Sequence, residues 1–214
     1  PDPDFIEEYW PDDHDGALHK TQGWYEMDDA ATGAMPNTGL AAWCSLDRFT
    51  TTIDGATQYK LARYRWNWFA RAIDRTANDY SEVFRLVEAI NTPPGPALTA
   101  NMLALADVEE WMRAWAVRHL LGDWDFYGGP NGQNAYAYKP VNGKWNVFLF
   151  DMNIIMGNGS SGPGDGLFSI GDGNLSRLYN HPPFRRMYFR ALKEICTGPI
   201  VEASFGPIVD AKYA

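Results

Sequence analysis

Apolar residues recur at helical spacing through the middle and end of this chain, and in short runs elsewhere. From Thr57 to about Asp74, the residues Leu61, Tyr64, Trp68 and Ala72 fall at three- and four-residue steps, which predicts one helix. Asp79 stands three residues before Glu82, a capping-box spacing. Val83, Leu86, Val87 and Ile90 then continue an apolar face until Asn91-Thr-Pro-Pro-Gly95 ends it. Asp107 and Glu110 repeat that start. Val108, Trp111, Met112, Trp115, Ala116, His119 and Leu120 predict a long helix, which must stop near Gly122 because Gly128-Gly-Pro-Asn-Gly132 breaks helices. One more helix is expected near Phe184 to Cys196, closed by Gly198.

Strand signals fall between these segments. Gly16-Ala-Leu-His-Lys20 and Gly23-Trp-Tyr-Glu26 read as two short strands around a turn, with Trp24, Tyr25 and Trp43 favouring sheet. The aromatic runs Asn134-Ala-Tyr-Ala-Tyr-Lys139 and Lys144-Trp-Asn-Val-Phe-Leu-Phe150, joined through Asn142-Gly143, predict a β-hairpin. Gly157 to Gly173 holds seven glycines in seventeen residues and suits a flap or a substrate rim. It lacks the Gly-Lys-Ser or Gly-Lys-Thr ending of a P-loop, so its glycines alone do not indicate phosphate binding. No repeat or linker divides the chain, so a single domain is expected.

Composition narrows the function classes. The 214 residues carry 18 Lys and Arg against 27 Asp and Glu, a net charge of -9, which argues against nucleic acid as the main partner. The acidic balance is compatible with a site that recruits a divalent metal. Cys44 and Cys196 are too few for a disulfide framework or a zinc site. No apolar run approaches the ~20 residues of a membrane span.

The order of parts carries the chemistry. A long helix is followed by Gly122-Asp-Trp-Asp125, then Asn134, then a hairpin ending in Phe150-Asp-Met-Asn153. A hairpin brings residues before its first strand close to those after its second, so Asp125 and Asn134 should lie near Asp151. Phosphoryl transfer by protein kinases uses such a set: one Asp for the substrate hydroxyl, and an Asn and an Asp for magnesium. On spacing alone, a second reading stands beside it, with Asp123 and Asp125 as solvated turn residues and Asp151 as a strand-end cap. His119 lies on an apolar helix face and reads as a core histidine, while His14 and His19 are too isolated to suggest a metal triad.

The stretch Val108 to Asp125, the Asn134-Ala-Tyr-Ala-Tyr138 strand and Lys144-Trp-Asn-Val-Phe-Leu-Phe-Asp-Met-Asn153 with Gly157 together resemble the CotH (spore coat protein H-like) family of atypical protein kinases. Leu178-Tyr-Asn-His-Pro-Pro-Phe-Arg-Arg-Met-Tyr188 resembles that family's next helix start, so the likeness covers roughly residues 80 to 196. It implies an α+β, divergent protein-kinase-like fold: a mainly helical C-lobe over 57–214 with a catalytic β-hairpin, and remnant N-lobe strands over 1–56. It also implies ATP- and magnesium- (or manganese-) dependent transfer of phosphate to Ser or Thr of a protein substrate. By the same resemblance Asp125 is the catalytic-loop acid, Asn134 and Asp151 bind the metal, and Lys20 with Glu26 contact the nucleotide. Spore coat, cell envelope or extracellular settings are those the family implies.

Three departures qualify the likeness. Phe150-Asp-Met-Asn153 stands where the family reads Trp-Asp-Leu-Asp, so an amide replaces a second carboxylate. The long connection from Asp125 to Asn134 leaves Asn131 as a competing amide ligand. The family's earlier Arg-Gly-Asn-Ser segment has no counterpart, and a fragment lacking part of the amino-terminal lobe is therefore expected. A catalytically inactive, surface- or envelope-binding pseudokinase is the alternative. A glycosidase, suggested by nine Trp and by Asp123 and Asp125, is disfavoured because acids two apart on a strand point to opposite faces.

Overall fold

The computed structural model describes residues 3–25, 40–42, 44–71, 78–128, 132–156, 164, 166 and 173–213. The chain begins with α1 (Pro3–Tyr9), β1 (Ala17–Thr21), β2 (Trp24–Tyr25), β3 (Leu40–Ala42), β4 (Thr50–Ile53) and β5 (Ala56–Tyr59). Next come α2 (Leu61–Asn67), β6 (Trp68–Ala70), α3 (Ser81–Ile90), α4 (Pro96–Leu105) and α5 (Val108–Leu121). The hairpin strands β7 (Ala135–Lys139) and β8 (Asn146–Leu149) precede α6 (Gly173–Asn180), α7 (Pro182–Thr197) and α8 (Glu202–Tyr213). The fold is α+β. Among the described residues, no helix is long and apolar enough to cross a membrane.

Alternation along β7 divides the interior in two. The antiparallel sheet runs β6-β1-β7-β8, so β7 is central and its five residues are all buried. Ala135 and Ala137 face the larger core, with Trp68, Trp111, Trp115, Trp145 and the apolar stripes of α3, α5, α6 and α7. Tyr136 and Tyr138 face the other way and join Leu18 and Ile6 beneath α1. Trp10 closes that smaller core, its ring 5.0 Å from Tyr138 and 5.2 Å from Phe148.

The long helix forms as its sequence requires. Asp107 accepts the Glu110 N–H at 3.0 Å, and Gly122 ends the helix at φ 70, a left-handed turn that costs glycine nothing. Its start is fastened to the hairpin, because Trp145 N–H donates to Leu105 O at 2.8 Å and Asp107 N–H to Trp145 O at 3.0 Å. Its outer face packs on α7 through Tyr188, which meets His119.

Several expectations need correction. The helix expected over residues 57–74 is reduced to α2 and flanked by strands. Asp54 and Gly55, at φ 51 and 79, make the left-handed two-residue turn that joins β4 to β5, and this hairpin claims 56–59. At the other end, Trp68–Ala70 pairs with β1, so sheet hydrogen bonds override helical spacing. The two early strands do not pair with each other: β1 sits between β6 and β7, and β2 pairs with β3. The capping box at Asp79 is not closed, since Asp79 Oδ1 accepts the Ser81 N–H at 2.9 Å while Glu82 pairs with Arg85. The β7–β8 connection passes through Asn142-Gly143 as expected but extends over residues 140–145, where Asp13 accepts the N–H groups of Val141 and Asn142 at 2.7 and 2.8 Å. Gly198 closes α7 as expected, but that helix is not the last, because α8 follows it. Sequence spacing also left α1, α4 and α6 unassigned.

Candidate functional site

The turn after α5 is built by its own side chains. Asp123 Oδ1 accepts the Asp125 N–H at 3.0 Å, an Asx turn, while Oδ2 forms an ion pair with Nη1 of Arg118. Trp115 Nε1 donates to Tyr127 O at 3.1 Å, and Phe126 and Tyr127 are buried, so the turn is drawn inward rather than solvated. Asp123 and Asp125 are only 2% and 8% exposed, which removes the reading of both as solvated turn residues. Burial pushes the Asp123 carboxyl up, against the pull of Arg118.

Asn134 stands just before β7 at φ 58, in the left-handed region that asparagine tolerates. Its Nδ2 donates to Asp125 O at 2.9 Å and to Asp125 Oδ2 at 3.0 Å. Gln133 Nε2 donates to Asp125 Oδ1 at 2.9 Å, so both carboxylate oxygens of Asp125 accept amide hydrogens. Asp151 follows β8, exposed and at φ 51. The structure thus brings Asp125 and Asn134 into direct contact and sets Asp151 at the neighbouring strand end.

Arg118 joins these segments. It is 1% exposed, and its Nη2 donates to the carbonyl oxygens of Asn134 and Phe150 at 2.6 Å each. Burial lowers its affinity for a proton, and the charges of Asp123, Asp125 and Asp151 pull it back up. Sequence reasoning missed Arg118 and Gln133. The signal for Arg118 was its position on the core stripe, three residues after Trp115 and seven after Trp111. Gln133 carried no signal beyond being adjacent to Asn134.

Lys20 lies on the outer face of β1, opposite Tyr136, with Nζ 5.1 Å from the centre of the Phe150 ring. It is therefore near the Asp151 end of the hairpin. Glu26 and Asn131 lie outside the described residues, as does the Gly157 to Gly173 segment apart from 164, 166 and 173. His19 is buried and His119 partly buried, and desolvation lowers both to about 4, so each is neutral at neutral pH.

Among the described residues, no group of three His, Cys, Asp or Glu side chains is arranged to hold a metal. Magnesium needs less, because it is commonly held by one or two carboxylates with water and substrate phosphates completing the octahedron. The donor set fits that pattern. Asn134 turns its amide nitrogen to Asp125, which leaves the amide oxygen on the opposite side of the carboxamide. Asp151 adds an exposed carboxylate. Asp125, with amide donors on both oxygens, is suited to orienting a hydroxyl rather than to ligating.

Comparison with known proteins matches residues 56–214 to the family described as CotH kinase protein. No curated protein and no solved structure matches the chain.

Proposed function

The chain belongs to the CotH kinase protein family, and from that premise we propose that it is an atypical protein kinase transferring the γ-phosphate of ATP to a Ser or Thr hydroxyl of a protein substrate. Asp125 orients that hydroxyl and takes its proton as the oxygen bonds to the γ-phosphorus and ADP leaves. Asn134, through its amide oxygen, and Asp151 are the residues that would hold magnesium or manganese. The metal supplies neutralisation of phosphate charge when bound. Lys20 contacts the nucleotide phosphates from the Phe150 side of the sheet, as a compact point charge on a long stem. The whole chain acts as one divergent kinase-like domain, in a spore coat, cell envelope or extracellular setting.

The observation that carries this reading is the Asn134 to Asp125 hydrogen bond at 3.0 Å, with Asp151 at the adjacent strand end. Asn134 touches Asp125, and the pairing of Ala135 with Leu149 brings the strand end before Asp151 beside them. One observation favours a second reading, that of a non-catalytic binding module: Asn153 supplies an amide where a second carboxylate is expected.

Thermal unfolding with and without saturating magnesium and ATP separates the two. A ligand at ~100 times its dissociation constant adds about 2.7 kcal/mol, a rise of roughly 5–11 °C for a chain of this size. The rise should need the metal and vanish in Asp151→Ala. Asp125→Ala should keep the rise while abolishing transfer of labelled phosphate to a general Ser/Thr protein acceptor. A metal-dependent rise with no transfer in the parent protein leaves the binding-module reading. No rise at all refutes the kinase assignment of these residues.

A further inference from the structure

Arg118 presents a planar fork to three chain segments at once. Nη1 meets Asp123 Oδ2, and Nη2 meets the carbonyls of Asn134 and Phe150, each at 2.6 Å. Every one of these partners adjoins a residue of the proposed site. Asp123 holds the backbone N–H of Asp125 at 3.0 Å, Asn134 is itself in the site, and Phe150 immediately precedes Asp151.

A fully buried cation is a costly way to fill a core, because an apolar side chain of similar volume usually serves stability as well or better. A fork that satisfies one carboxylate and two carbonyls from different strand ends needs arginine, since lysine offers one compact charge without fixed directions. The backbone at both strand ends is also unusual. Asn134 and Asp151 take φ 58 and 51, the left-handed region that asparagine and aspartate enter more readily than other non-glycine residues. The two carbonyls gripped by Arg118 belong to Asn134 itself and to the residue before Asp151.

We propose that Arg118 is a positioning residue for this site: it sets the spacing among the Asp125 carboxylate, the Asn134 amide and the Asp151 carboxylate. The metal-binding half of this role rests on the function proposed above. The clamp itself does not.

The test uses the intact chain and Arg118→Lys, followed first by hydrogen exchange without ligand. The expected result is faster exchange in segments 123–128, 132–136 and 149–153 together, with α3 and α4 unchanged. Binding of manganese with ATP, measured by titration calorimetry, should weaken by about 10–100-fold, as when a group supporting metal ligands is lost. Metal-free ATP binding should hardly move. Faster exchange confined to 123–128, a uniform rise across the molecule, or unchanged manganese-dependent affinity would each overturn the proposal. If the parent binds no manganese with ATP, the proposed function fails while the exchange pattern still decides the clamp. If Arg118→Lys does not fold, the pair Arg118→Gln with Asp123→Asn, which removes both buried charges but keeps hydrogen-bonding side chains, is read against the same outcomes.

Discussion

Glu110 occupies the third position of α5, and its Oε2 accepts the Val147 N–H of β8 at 3.1 Å. Burial pushes its carboxyl up from its ordinary 4.5 to about 8, with the Val147 bond pulling down and Asp107 adding a smaller push upward. The folded protein therefore keeps a proton here that the unfolded chain releases. Stability from this group is complete below about pH 4.5 and is lost as pH rises toward about 8. The slope is at most about 1.4 kcal/mol per pH unit for one proton. From pH 5 to 8 the urea midpoint of the parent should fall relative to that of Glu110→Gln, a comparison in which the opposite pull of the neutral His19 and His119 below about pH 6.5 cancels. An equal slope in the two proteins would remove Glu110 as its source. Capping-box spacing marked Glu110 in the sequence, and Asp107 does cap its N–H. That the side chain would reach across to β8 was not legible, because that contact joins positions 37 residues apart.

At the scale of elements, the hairpin and the long helix were legible and the region around α2 was not. In β7, small and aromatic residues alternate strictly, and each set meets a different core, so local pattern and global burial agree. Between residues 56 and 70 they conflict. Helical spacing is present, yet the Asp54-Gly55 turn and pairing with β1 take both flanks into sheet. The start of β1 depends on close backbone approach at Gly16. A Cβ there would stand 2.1 Å from Lys139 O, and the Gly16 N–H donates to the Tyr138 hydroxyl at 3.1 Å. Gly16→Ala should therefore lower stability by roughly 1–3 kcal/mol through forced backbone movement. Thermal unfolding reads the loss, and hydrogen exchange should place it in β1 and β7. A variant as stable as the parent would show that the two strands can separate there without cost.

At the scale of the whole molecule, the family match and the strand pairing have different limits. The match spans residues 56–214, whereas the sheet that carries Asn134 and precedes Asp151 has β1 as an inner strand, hydrogen-bonded to both β6 and β7. Leu18 and His19 of β1 are buried in the two cores on either side. A chain starting at residue 56 should therefore lack a cooperative thermal transition and bind a hydrophobic dye, where residues 1–214 unfold sharply. A sharp transition in 56–214 near the parent midpoint would make the matched region a folding unit on its own. The sequence alone determined the α+β character, the limits of α5, the strands of the hairpin and the residue types that meet beyond it, because caps, turns and periodicity act over a few neighbouring residues. Only the tertiary structure decided that Arg118 faces Asp123, Asn134 and Phe150, that Gln133 and Asn134 share the Asp125 carboxylate, and that β1 enters the sheet beside β7. Some of those contacts, such as Arg118 to Phe150 and β1 to β7, join distant positions, while others, such as Asn134 to Asp125, lie within nine residues; in both cases burial and strand pairing, which no local pattern encodes, select among the partners available.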